Sequence, residues 1–328
     1  MERKQLVTIS YLPADELPGW WGKAIEAKEL LRLKEVGMNC GLEYTSFPFF
    51  KGISSYSRYT HSLGVGQIVW RFTHDPKQAL SGLYHDIASP CFAHVIDFLH
   101  GDYCAQESTE ENTSKIIAKS KDIQDLLAFL DLSTSDVDDY HAYPIADNDS
   151  PKLSSDRLEY TLSNALNLLH LPREEVSLLY DSIKVLPDGE LGFLEEKSAK
   201  RFASIALSLG KIYCSDEDRY SMETLARLTK KAILLGVLAE EDLHGGEPAL
   251  IGKLENSSLR EEWDSYKEMS SLEKSEGEKE GFLRIKAKKR YIDPLVGDKR
   301  LSEIDESFKK DVEAYLAQDF EVYLKRKG

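Results

Sequence analysis

Helical periodicity constrains this chain most: apolar residues recur at three- and four-residue spacings over most of the first 240 positions, and Pro or Gly cuts each run. One pattern starts near Trp20 and passes through Ala24, Leu30, Leu31, Leu33 and Val36. Residues 40–57 are irregular, interrupted at Pro48 and Gly52. A second pattern runs from His61 to Thr73 and must end before Pro76, whose ring cannot continue it. The third, over 77–87, places Ala79, Leu80, Leu83, Tyr84 and Ile87 on a buried face and stops at Pro90. Residues 110–170 read as helices broken at Pro144 and Pro151, the last starting near Ser154. The period continues over 173–186, 197–213 and 220–239, while Pro-Asp-Gly within 187–194 predicts a short hairpin turn. A mainly α fold, a helical bundle, is expected.

After Gly245-Gly246 the composition shifts to charge. Residues 254–280 are rich in Glu, Lys and Ser, which reads as solvated helix or linker. Phe282 to Ile292 could form one strand, and 301–326 one amphipathic helix. The expected division is a helical domain over 1–245 and a small α+β or helical appendage over 246–328.

With 57 acidic and 42 basic residues the formal charge is −15, so the surface repels phosphate backbones and general nucleic-acid binding lacks its driving force. A small anionic substrate would need a local basic pocket. Cys40, Cys91, Cys104 and Cys214 form no CxxC pair, which fits a reducing compartment. The N-terminus lacks the apolar stretch of a signal peptide, and the apolar run at 232–239 is too short to span a bilayer. A cytoplasmic protein with no membrane partner is expected.

Adjacent His and Asp side chains on a helix point about 100° apart, so both reach one ion only when it sits just off the helix near its end. His85-Asp86 has that form. His61, one helix earlier, and Asp156, on a later helix, are suitable further donors. Imidazole plus carboxylate with open positions is the ligand set of a catalytic site, and it suits Mn, Fe, Zn, Ni and, less well, Mg. A second pair, His74-Asp75, lies roughly three and a half turns from His61 and is out of reach of the same ion. Arg58, three residues before His61, shares its face if the helix begins that early. No spacing links His100, His141, His170 or His244 to the set, so they are expected to be structural or exposed.

Three segments, in order, resemble one family. Arg58-Tyr-Thr-His61-Ser-Leu-Gly-Val is similar to the R-F-x-H-S-L-G-V segment of the HD-domain deoxynucleoside triphosphate triphosphohydrolases, which include the bacterial dGTPases. His85-Asp-Ile-Ala-Ser-Pro-Cys-Phe-Ala-His94 resembles that family's H-D-I-G-H-x-P-F-x-H, and Ser155-Asp156-Arg-Leu-Glu-Tyr160 its D-(K/R)-x-D-Y segment. The resemblance implies an HD-domain bundle, a nucleotide substrate, hydrolysis of a dNTP to nucleoside and triphosphate, and one divalent ion on His61, His85, Asp86 and Asp156. It further implies that Arg58, Arg157 and Tyr160 face phosphate, that His94 donates a proton, and that Asp97 and Glu107 complete the pocket around His94. Members commonly self-associate, which leaves a homo-oligomer open.

Departures from the family pattern spare the metal ligands. Ser89 and Gln106 stand where the family has histidines, Ser163 where a phosphate-gripping Arg is common, and Leu31 where a Gln reads the nucleotide. These positions concern the phosphate tail, the proton relay and the nucleotide. The scissile bond therefore stays open: alternatives are a phosphomonoesterase or phosphodiesterase on another nucleotide, or a nucleotide-binding regulatory protein of low turnover. The aromatics Tyr44, Phe47, Phe49, Phe50 and Tyr56 could line the pocket or pack in the core.

Overall fold

The computed structural model describes residues 13–51, 53, 56–95 and 112–327. Among them the chain is mainly helical, with two small sheets. The helices are α1 (Trp21–Ile25), α2 (Lys28–Leu31), α3 (Arg58–Thr73), α4 (Pro76–Tyr84), α5 (Thr113–Lys119), α6 (Lys121–Phe129) and α7 (Ser155–Asn167). They continue as α8 (Arg173–Asp181), α9 (Glu196–Tyr213), α10 (Asp216–Leu234), α11 (Glu247–Glu255), α12 (Arg260–Lys267), α13 (Leu301–Ile304) and α14 (Glu306–Ala317). No helix among the described residues is long and apolar enough to cross a membrane.

Local chemistry sets the boundaries that matter for the site. Ser57 caps α3, its hydroxyl accepting the Thr60 N–H at 3.3 Å, so the helix begins at Arg58 and puts Arg58 and His61 one turn apart. His74 ends α3 in the left-handed region at φ 50°, its N–H bonded to Trp70 O. Asp75 then caps α4 through the Lys77 N–H at 3.0 Å, with Pro76 in the first turn. The second His-Asp pair is thus a stop and a start signal between two helices. Helices α3 and α4 pack closely because small residues face the contact. A Cβ on Gly66 would lie 2.9 Å from the Trp21 ring and 3.0 Å from Leu83, and one on Gly82 would lie 3.0 Å from Val69.

The hairpin expected at 187–194 is present: β1 (Ile183–Val185) pairs antiparallel with β2 (Leu191–Phe193), and Gly189 takes φ 85° in the turn. Strand β2 also pairs in parallel with β5 (Leu295–Val296), which turns back into β6 (Lys299–Arg300). A three-stranded antiparallel sheet joins β3 (Leu272–Ser275) and β4 (Leu283–Ile285) to the two edges of β7 (Val322–Arg326).

Several expectations differ from the structure. The first helical pattern breaks at Ala27, whose ψ of 129° separates α1 from α2, and the chain continues through a 3-10 turn at 32–35. The expected helix over 301–326 stops at Ala317, where Gln318 turns extended and leads into β7. The expected strand over 282–292 is ordered as a ladder only at 283–285. The charged stretch 254–280 contains the fully buried Trp263 and the stacked Tyr266, so one side of α12 is core. The larger apolar cluster joins Phe47, Phe92, Leu158 and Phe202 to Trp263, Phe308 and Leu324, and so runs across position 245. A second cluster, from Trp21 and Leu30 to Val65, Leu83 and Leu126, backs the α3–α4 pair.

Candidate metal centre

Helix α3 supplies His61, the end of α4 supplies His85 and the turn after it Asp86, and the first turn of α7 supplies Asp156. The His61 and His85 Nε2 atoms face each other at 3.2 Å. Asp156 Oδ1 lies 3.0 Å from His61 Nε2 and 3.7 Å from His85 Nε2. Asp86 Oδ2 lies 3.9 and 3.5 Å from the same two atoms. Donors about 2.1 Å from a shared ion stand about 3 to 3.5 Å apart; the His61–His85, His61–Asp156 and His85–Asp86 pairs have that spacing, and the other two pairs are a few tenths of an ångström wider.

The outer nitrogens of both rings explain why these donors fit a cation. His85 Nδ1 lies 2.7 Å from Gly82 O, and His61 Nδ1 meets the fully buried Glu159 carboxylate. Each outer nitrogen facing an oxygen acceptor carries its proton there, which turns the two Nε2 lone pairs toward each other. Lone pairs at that distance repel unless positive charge lies between them, a proton on His61 or a metal ion. Burial disfavours a charged His61, yet Glu159 and Asp156 override it and lift its pKa to about 10. Burial likewise opposes ionised Asp86, but Arg58 and the two histidines hold its carboxyl well below the usual range; His61 and His85 do the same for Asp156.

Two of the departures from the family pattern now have a place. Ser89 Oγ donates to Asp86 Oδ1 at 2.8 Å, and Ser163 Oγ donates to Glu159 Oε1 at 2.6 Å. Both hydroxyls orient carboxylates that touch the donor set. Arg32 donates to Ile87 O at 3.0 Å, to Ser89 O at 2.7 Å and to Gly245 O at 3.1 Å, which clamps the turn that carries Asp86. Glu247, buried at the start of α11, accepts from the Gly37 and Phe92 N–H groups at 2.9 and 3.1 Å and from Tyr44 Oη at 2.6 Å. It anchors the turn before His94, where Phe92 and Ala93 both take positive φ.

The site opens into a cavity of about 580 Å³ whose wall includes Arg58, His94, Arg157 and Tyr160. Arg58 starts α3 beside His61, as the capped helix requires, and its guanidinium is committed to Asp86 Oδ2 at 2.7 Å. Arg157 is held by Asp147 and Ser154, each at 2.8 Å, and by Asn148. Asp97 and Glu107 lie outside the described residues. Of the loop aromatics, Phe50 reaches the cavity, Phe47 and Tyr56 are buried, and Phe49 is exposed. Leu31 is not part of the wall; Asn39 and Cys40 are.

Sequence reasoning missed several neighbours. Glu159 follows Asp156 by three residues, a helical spacing that puts both on one face of α7 and could have flagged it. His141, expected to be structural or exposed, lines the cavity with its Nδ1 3.1 Å from Asp147, while the Tyr140 ring packs 5.2 Å from His85. Asp218 at the start of α10 also lines it, and burial pushes its pKa up to about 7 against the pull of Arg219 and Arg290. No local pattern pointed to these.

No family model matches the chain. It is 25% identical over 189 residues to the uncharacterized protein YdhJ of Bacillus subtilis, covering 57% of each chain. It is 26% identical over 200 residues to the metal-dependent phosphohydrolase cns2 of Cordyceps militaris, covering 59% of this chain and 55% of that one. The chain therefore spans little more than half the length of these relatives. Its fold is shared with a phosphohydrolase from Bacteroides thetaiotaomicron at a TM-score of 0.65, 14% identity and coverage of 99% and 100%. A hypothetical protein from Aquifex aeolicus has the same fold at a TM-score of 0.63, 16% identity and coverage of 94% and 91%.

Proposed function

We propose that this chain is a metal-dependent phosphohydrolase acting on a nucleotide, in the first instance a dNTP cleaved to nucleoside and triphosphate. The observation that carries the reading is the convergence of two imidazole nitrogens and two carboxylates at the floor of a cavity that also holds Arg157, Tyr160 and His94. The relative named as a metal-dependent phosphohydrolase and the neighbour named as a phosphohydrolase support the hydrolytic class. The three motif resemblances support the nucleotide.

His61, His85, Asp86 and Asp156 would hold one divalent ion, Mn, Fe, Zn, Ni or Mg. Such an ion, when bound, supplies Lewis acidity toward a phosphoryl oxygen and lowers the pKa of a water. The protein's own groups do the rest. Glu159 and Gly82 O fix the imidazole orientations, and Ser89 and Arg58 hold the Asp86 carboxylate in place. Arg157, braced by Asp147, and the Tyr160 hydroxyl bind non-bridging phosphate oxygens. His94 gives its proton to the leaving oxygen.

Metal analysis of the purified protein, then incubation with pooled nucleotides under Mn²⁺ or Mg²⁺ with product identification, tests the reading. Triphosphate release is expected. Orthophosphate or a monophosphate product would move the activity to a phosphomonoesterase or phosphodiesterase. Tight nucleotide binding without turnover would make the chain a regulatory binder. His85→Ala and Asp86→Ala are expected to remove both metal and activity, and full activity in either would sink the site. His94→Ala should lower turnover with the metal retained.

A further inference from the structure

Four basic residues fall within five consecutive positions, Lys286, Lys288, Lys289 and Arg290, in a chain of net charge −15. All four contribute to the wall of the cavity that holds His61 and His85. Neighbouring elements grip the segment, largely by its backbone. Lys288 O accepts from the Cys214 thiol at 3.6 Å, and the Arg290 N–H donates to Tyr315 Oη at 3.2 Å. Gly210 on α9 comes so near that a Cβ there would stand 2.1 Å from Arg290 O. Ala287 and Tyr291 pack on Leu207, Cys214 and Tyr315, and Lys289 reaches Leu316 O. Backbone contacts and the packing of Ala287 and Tyr291 thus hold the segment in place, with Lys286, Lys288, Lys289 and Arg290 on the cavity wall.

Beside the metal donors Arg58 is matched by Asp86 and Arg157 by Asp147. Asp218, on which Arg290 acts, and the exposed Asp149 also line the cavity. The field of Arg290 is felt at Tyr160 and Tyr213, so the strip begins beside the residue already assigned to phosphate. A single orthophosphate would be satisfied at the metal end alone. Four further cations from one segment on the wall of the same cavity suit a chain of phosphates.

We propose that Lys286, Lys288 and Arg290 form a subsite for an oligophosphate tail, so that the substrate is an extended polyanion reacting at the metal end and held along this strip. Which phosphorus reacts rests on the phosphohydrolase reading; the subsite does not. Inorganic tripolyphosphate is the probe, its binding to the full chain measured by calorimetry for the parent, Lys286→Gln/Lys288→Gln and Asp86→Ala. The double variant should bind it at least tenfold more weakly and with a shallower salt dependence, with melting temperature and metal content unchanged. Asp86→Ala should lose metal yet bind tripolyphosphate more tightly than the double variant does. No binding by the parent, or equal binding by parent and double variant, overturns the subsite. So does a single-stranded oligonucleotide that occupies the strip more tightly than tripolyphosphate. Because binding is read without turnover, a chain that holds tripolyphosphate through the strip and hydrolyses nothing keeps the subsite and loses only the proposed activity.

Discussion

Glu159 sits behind the metal donors, and its consequence is measurable. Its carboxylate fixes the His61 ring from the far side, and Ser163 fixes the carboxylate. Glu159→Gln keeps an acceptor but loses the charge, and metal affinity should fall about 10- to 100-fold, read by competition with a chromophoric chelator. Unchanged affinity would mean that the ring is oriented by packing alone. Asp218 makes a separate prediction. Its folded pKa, about 7, lies above the ordinary carboxylate value, so the folded state binds the proton more tightly than the unfolded chain does. The contribution of this group is present in full below about pH 4 and is lost as pH rises from there through 7. Asp218→Asn should raise the melting temperature at pH 8 and by clearly less at pH 5, where only part of the penalty has accrued; an equal shift at both would refute the assignment. At this scale the convergence of His61, His85, Asp86 and Asp156 was legible because each falls in an ordered motif. Glu159 and Asp218 were not, because His61 and Arg290 reach them from elements far away in sequence, and His141 was not, because its pairing with Asp147 six residues on follows no periodic pattern.

The tight contact between α3 and α4 fixes the separation of His61 and His85 at the scale of the element. Gly66 permits that contact, since an added Cβ would crowd the Trp21 ring and Leu83. Gly66→Ala should cost about 1 to 3 kcal/mol in denaturant unfolding, the usual penalty for overpacking a core. A neutral effect would show that Trp21 moves freely. The helices that carry the site could be read from periodicity, Pro76 and the start near Ser154, because those signals act within a few residues, while the start of α3 at Arg58 was fixed only by the Ser57 cap. The break at Ala27 and the end of α14 carry no such local signal. Gln318 leaves the helix where β7 finds partners on both sides in β3 and β4, a pairing that no window of sequence contains.

For the whole molecule, the contrast between a patterned first part and a charged last part did not carry over into the packing. Trp263, Phe308 and Leu324 belong to the same apolar cluster as Phe47 and Leu158, and Glu247 binds Gly37, Tyr44 and Phe92. A chain ending at 245 should therefore lack a cooperative unfolding transition, and a sharp melt of that fragment by circular dichroism would restore an independent first domain. The charge run hid this because α12 is amphipathic, its core side formed by two aromatics among acidic neighbours. The cavity wall is assembled from positions as distant as Met38 and Tyr291, whereas all four metal donors precede residue 157. During synthesis the donors leave the ribosome long before the basic strip does. A nascent chain thus acquires the convergent donors, with His94, Arg157 and Tyr160 among and beside them, before the basic strip that completes the cavity wall.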